Sequence, residues 1–83
     1  MTIKGPMVKQ RGMILVHSDT KQPVHLNEQV KTFRGEVVVV EGGEAARPGS
    51  TGRIYVSYMD AAGQPTYRNQ FFPSVCDCEW IEG

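Results

Sequence analysis

Residues 36–41 read Glu-Val-Val-Val-Val-Glu, and four β-branched residues in succession lose side-chain freedom in a helix while packing well on a pleated sheet. A strand with both faces covered is expected over Glu36–Glu41. Just before it, Arg34-Gly35 marks a tight bend, because glycine enters backbone conformations that other residues avoid. Before the bend, Gln29–Phe33 alternates as a half-exposed strand does. After the strand, Gly42–Gly52 carries four glycines and one proline in eleven residues and reads as the longest loop, the kind of segment that carries binding chemistry on a small rigid scaffold.

The same reading extends outward in both directions. Arg53–Tyr58 puts Ile54, Val56 and Tyr58 on one face and Arg53, Tyr55 and Ser57 on the other. Met59–Pro65 is the turn of a hairpin whose return strand is Thr66–Phe72. Phe72-Pro73-Ser74-Val75 then reads as one 3₁₀ turn, since proline breaks the strand and serine caps locally. Asp77–Glu82 closes the chain as a final strand. On the N-terminal side, Met13–His17 is a short apolar strand, Ser18–Gln22 a turn, and Pro23–Leu26 a second strand beginning at a proline. Residues 1–12 lack any sustained apolar period and read as a flexible leader. No stretch of ten residues carries an apolar helical stripe. The expectation is an all-β domain over residues 13–83, with five to seven short antiparallel strands closed into a small barrel and one 3₁₀ turn near the C-terminus.

Composition sets further bounds. At 83 residues the chain falls below the usual range of about 100–200 residues per domain, so one core is all it can hold. So small a core leaves little room for a deep catalytic cleft. The longest aliphatic runs, Met13–Val16 and Val37–Val40, fall far short of the roughly 18 apolar residues a membrane helix needs, and no cleavable leader opens the chain. No membrane partner is expected, and a cytoplasmic location is.

Nine basic residues balance nine acidic ones, for a formal charge of zero, so no global field draws the chain to nucleic acid. The distribution is uneven. Residues 1–34 carry six bases against two acids, and residues 35–83 carry three against seven. A compact fold is expected to bring the halves together and neutralise them.

The two cysteines, Cys76 and Cys78, are too close for an unstrained disulfide. On a strand both thiols face one way and serve as small core side chains. A metal site completed by His17 and His25 is the sharper alternative, but neither pair has the spacing of a structural zinc site. Neither a metal nor a cofactor is expected. The histidines are also not embedded in any nucleophile motif, so no catalytic residue is expected and the chain reads as a non-enzyme.

Three local patterns carry resemblances. Val30–Glu36 followed by Val37–Val40 resembles the Val-x-x-x-x-Gly-x-x-x-x-Val rhythm of KOW domains and related small translation- and transcription-associated barrels. Phe72-Pro73-Ser74 and the strand after it resemble the junction near the end of Src-homology-3 domains, without the Ala-Leu-Tyr-Asp-Tyr run or paired tryptophans of the polyproline-binding members. Val30–Glu36, Gly49–Val56 and Phe71–Val75 with Trp80 together are similar to short uncharacterised proteins of tailed bacteriophages and prophages. These resemblances imply a Src-homology-3-like barrel and a phage-derived chain working in a bacterial cytoplasm.

The candidate site residues are surface aromatics and arginines. The interior is expected to take Tyr58, one of Phe71 and Phe72, and Trp80, which leaves Tyr55 and Tyr67 outside. Lying across a hairpin with Arg53 and Arg68, these would form a platform for a protein partner or single-stranded bases. Gly49-Ser50-Thr51-Gly52-Arg53 could cradle a phosphate or carboxylate, but lacks the Lys-Ser/Thr ending and the helix of a P-loop. It also reads simply as a turn feeding Arg53 into a strand. The leading expectation is a protein-interaction module, with another copy of itself among the candidate partners, contacting its partner through Tyr55, Tyr67 and residues 43–52. The second is a nucleic-acid-binding module using Arg34, Arg47, Arg53 and Lys31 on phosphates. The third is a small inhibitor of a host enzyme.

Overall fold

The structure, a computed structural model, describes residues 5–83. Its strands are β1 (Lys9–Gln10), β2 (Met13–His17), β3 (Gln29–Lys31), β4 (Val37–Glu44), β5 (Arg53–Met59), β6 (Pro65–Phe71) and β7 (Cys78–Glu82), with a 3₁₀ turn at Pro73–Cys76. They form two antiparallel sheets, one ordered β1-β2-β7 and the other β3-β4-β5-β6. The all-β class and the late 3₁₀ turn match the expectation. The sheets are not closed on each other into a barrel. The Pro23–Leu26 segment, expected as a full strand, makes only single bridges, Pro23 to Val16 and His25 to Met7; proline has no N–H for a continuous ladder.

The core lies between the sheets. Leu15, Val24, Val38, Val40, Ile54 and Val56 are fully buried and pack with Trp80 and Ala45, each such aliphatic side chain contributing roughly 1.5–3 kcal/mol by leaving water. The valine run is fully covered on one face only: Val38 and Val40 are buried, while on the other face Val37 is exposed and Val39 half-buried, because successive strand residues point to opposite faces.

Two corrections concern segments rich in glycine. Residues 5–12, expected as part of a flexible leader, are built into the fold. Gly5 N–H donates to Leu26 O at 2.7 Å, Val8 N–H to Val24 O at 2.9 Å, and Leu15 N–H to Val8 O at 3.0 Å, with Val8 buried. The part of that leader at residues 1–4 lies outside the described residues. The second correction is that the loop begins later than Gly42, since β4 runs on to Glu44. Here the glycines serve close packing: a Cβ on Gly43 would stand 2.8 Å from Trp80 Cζ2 and 2.9 Å from Arg53 O. The remaining loop is tied in by Ala45 N–H donating to Gln10 Oε1 at 2.5 Å. At its end Gly52 (φ +79°) is pressed against the Glu44 carbonyl, Ala46 N and Trp80 Cδ1.

Both partners of β5 carry an extra residue. On β4, Glu41 is inserted between the pairs Val40–Val56 and Gly42–Tyr55. On β6, Thr66 and Tyr67 stand opposite Tyr58, between the pairs Ser57–Arg68 and Met59–Pro65. Beyond these, β6 is the last strand of its sheet, and its Gln70 N–H is taken by Asn69 Oδ1 at 2.8 Å.

Candidate functional site: the aromatic end of the four-stranded sheet

Strand register separates the expected platform into two faces. Residues directly opposite in an antiparallel pair share a face, so the pairs Tyr55–Gln70 and Ser57–Arg68 put Arg53, Tyr55 and Arg68 on the outer face. The pairs Ile54–Phe71 and Val56–Asn69 put Phe71, Asn69 and Tyr67 on the face that also carries the core. Tyr55 therefore shares a face with Arg53 and Arg68, whereas Tyr67 does not, so the expected platform is split.

On the outer face the arginines are engaged. Glu44 accepts from Arg47 Nη2 at 2.5 Å, lies 3.8 Å from Arg53 Nε and accepts from Tyr55 Oη at 3.5 Å. Arg53 Nη1 also donates to Gln70 Oε1 at 2.9 Å. Glu41 accepts from the buried Ser57 hydroxyl and lies 3.7 Å from Arg68 Nε. Arg34 is elsewhere, at the bend before β4, with its guanidinium 5.5 Å from the Phe33 ring centre. The basic rim of Arg34, Arg47 and Arg53 is not assembled, because two of its three members share one carboxylate and the third sits at the opposite end of β4.

The core face carries something the composition did not reveal. Beyond the part covered by the second sheet, Tyr67 stacks on Tyr58 with ring centres 4.7 Å apart, and Phe71 meets Tyr58 edge-on at 6.4 Å. Burial and the Glu36 carboxylate push the Tyr58 phenol up, against the opposing pull of Asn69 and Arg34. Phe33 N–H donates to Val75 O at 2.8 Å, which brings Phe33 to the 3₁₀ turn that Phe72 leads into. Phe33, Tyr67 and Phe72 are 73%, 61% and 66% exposed. Of the aromatics expected inside, Trp80 is buried, Tyr58 and Phe71 are partly buried, and Phe72 is outside. Tyr55, expected outside, is half-buried against Gly42. The alternation of β6 already put Tyr67 and Phe71 on one face; the exposure of Phe33 and Phe72 depends on how the 3₁₀ turn crosses the sheet, which no local pattern encodes.

The sulfur and imidazole groups are tied up separately. Cys76 and Cys78 are buried, and burial pushes their thiols up to about 11 and about 12. Cys78 Sγ donates to Cys76 O at 3.3 Å. His17 and His25 converge on Glu28 instead, with His17 Nε2 2.5 Å from Oε2 and His25 Nδ1 3.5 Å from Oε1. Among the described residues, no three His, Cys, Asp or Glu side chains are grouped as a metal site. No described helix is long and apolar enough to cross a membrane.

Comparison with family models, with curated proteins and with solved structures finds no match for this chain.

Proposed function

We propose that this chain is a non-enzymatic protein-interaction module whose contact surface is the aromatic end of the four-stranded sheet. The observation that carries the reading is that Tyr67 is exposed while stacked on the partly buried Tyr58, which Phe71 meets edge-on, and that Phe33 and Phe72 are exposed as well. Exposed apolar surface of this kind marks contact sites, and aromatic anchors dominate the energetics of such contacts. Arg34, over the exposed Phe33 ring, supplies a charge that orients a partner. Within this reading Tyr67 keeps the contact role expected from sequence, while Tyr55, held between Gly42 and Glu44, serves the sheet. The succession of hairpin, bend, 3₁₀ turn and final strand supports kinship with Src-homology-3-like and KOW-like small barrels. The local resemblance to tailed-phage and prophage proteins supports a role in a bacterial cytoplasm.

Co-purification tests the reading. Tagged chain expressed in bacteria should retain a protein partner that is lost on Tyr67→Ala or Phe72→Ala and kept on Tyr55→Ala, with circular dichroism unchanged throughout. Equal retention by all four chains overturns it. The nucleic-acid reading is favoured by one observation, Arg34 lying over the exposed Phe33 ring. It requires that oligonucleotide affinity fall with salt by about one unit of log–log slope per phosphate contact.

A further inference from the structure

At the end of the β5–β6 ladder, beyond the pair Ile54–Phe71, an open cleft of about 310 Å³ is lined by Arg53, Gln70, Phe71, Phe72 and Val75. It stands at the small end of ligand-site volumes, which suits one residue better than a length of chain. Its lining is within reach of solvent: Phe72 is 66% exposed and the Arg53 side chain 52% exposed.

The apolar half is set before anything binds. Phe71 and Val75 are partly buried against the core. Val75 N–H donates to Phe72 O at 3.0 Å, and Val75 O accepts from Phe33 N–H at 2.8 Å, so the 3₁₀ turn fixes Val75 at both ends of its main chain. The polar half presents two donors. Arg53 Nη1 donates to Gln70 Oε1 at 2.9 Å. A guanidinium only donates, so this bond orients the Gln70 amide, its oxygen towards Arg53 and its Nε2 protons left to give. Arg53 Nε faces Glu44 at 3.8 Å, while Arg53 Nη2 and Gln70 Nε2 have no partner among the described residues.

The charge balance selects an anion. Glu44 is shared with Arg47 Nη2 at 2.5 Å, so two guanidinium groups face one carboxylate, and no acidic side chain lines the cleft. A carboxylate meeting Arg53 Nη2 and Gln70 Nε2 gains charge-assisted hydrogen bonds, and an aliphatic group against Phe72 and Val75 leaves water. In a space for one residue, both groups must belong to that residue. Asp and Glu offer the carboxylate in place of an apolar side chain. A chain-terminal leucine, isoleucine or valine carries both on one Cα.

We infer that this cleft receives the C-terminal residue of a protein partner, a leucine, isoleucine or valine, with its carboxylate on Arg53 and Gln70 and its side chain against Phe72 and Val75. The inference rests on Phe72 being a contact residue, and it names the part of the partner that meets it.

The probe is acetyl-Gly-Gly-Leu with a free carboxylate, titrated into the ¹⁵N-labelled full chain. Its comparators are the same peptide as its C-terminal amide, acetyl-Gly-Gly-Gly with a free carboxylate, and acetyl-Gly-Asp-Leu-Gly amide, whose carboxylate is internal. Saturable shifts of the Arg53 Nε–H, the Gln70 side-chain amide and the Val75 amide are expected with acetyl-Gly-Gly-Leu. Each comparator should bind about fivefold or more weakly. Arg53→Gln should weaken binding about threefold to tenfold. Gln70→Glu keeps an acceptor for Arg53 but sets a second carboxylate against the terminus, and should abolish binding. Arg68→Gln removes the same charge from the same face outside the cleft and should leave binding within about twofold. No response to acetyl-Gly-Gly-Leu, an equal response to any comparator, unimpaired binding by Gln70→Glu, or equal losses in Arg53→Gln and Arg68→Gln overturns the inference. Each of those results leaves the loss of partner retention on Tyr67→Ala standing, so the cleft and the aromatic surface fail separately.

Discussion

The ring of Tyr67 lies over that of Tyr58 with centres 4.7 Å apart and planes inclined by 24°, although Tyr67 faces solvent over most of its surface. One face of the ring is held in place and the rest is presented. Such a side chain loses little further freedom on binding, which is what makes a rigid aromatic an efficient anchor. Tyr67→Ala should therefore lower folding stability by only about 0.5–1.5 kcal/mol, the worth of a ring pair, while abolishing partner retention. Urea melts beside the retention assay separate the two effects; a loss of several kcal/mol would make Tyr67 a structural residue.

The glycines of the loop after β4 are not equivalent. Gly49 and Gly52 both have positive φ, +84° and +79°, yet a Cβ on Gly49 meets nothing within 4 Å while one on Gly52 overlaps the Glu44 carbonyl. Gly49→Ala should lower stability by about 1–2 kcal/mol, the left-handed backbone penalty alone. Gly52→Ala should exceed it by about 2 kcal/mol or more and displace Trp80, seen as a shift in its emission. Equal melting temperatures for the two variants would contradict this.

Ser57 and Glu41 bond to each other across the β4–β5 pair, but their surroundings differ: Ser57 is buried, whereas the Glu41 side chain reaches solvent. Glu41→Ala strands a buried hydroxyl and should lower stability by about 1–3 kcal/mol. Ser57→Ala leaves a carboxylate that water can solvate, so its effect should be the smaller. Chemical denaturation of both variants checks the order, and the reverse order would refute it.

Raised thiol pKa values tie stability to alkaline pH. Unfolding returns Cys76 and Cys78 from about 11 and about 12 to the ordinary value of 9.0. Because the neutral thiol is the form the core accepts, their contribution is fully present below pH 9 and is lost as pH rises through 9 toward 11–12. Each thiol adds a slope of up to about 1.4 kcal/mol per pH unit in that window. Denaturation from pH 7 to 11 should show this decline, and a Cys76→Ala, Cys78→Ala chain should show a flatter one. The same protonation predicts slow iodoacetamide labelling at pH 8 until urea opens the fold.

Much of the chain was legible because its strands alternate. Met13–His17 is β2 as expected, Arg53–Tyr58 is β5 less its last residue, and the Phe72–Val75 turn is displaced by one position. The failures share a cause. Residues 5–12 are held through main-chain bonds to Leu26, Val24 and Leu15, and such bonds leave no side-chain period to read. Gly42 and Gly43 read as loop by composition, yet they belong to β4 because Tyr55 and Trp80 pack against them. The basic and acidic halves do meet, since β2 pairs with β7 and β3 with β4. Among the described Lys and Arg residues, only Lys21, with Glu79, makes an ion pair across the basic and acidic halves; Arg47, Arg53 and Arg68 find carboxylates within their own half.

The strand that displays Tyr67 ends its sheet, and an open strand end is ordinarily an invitation to cross-β stacking. Here the invitation is withdrawn: Pro65 has no N–H to offer, the extra residue opposite Tyr58 throws the ladder out of step, and Asn69 occupies the Gln70 amide. An outer strand blunted in this way can keep Tyr67 exposed without offering a second chain a continuous template.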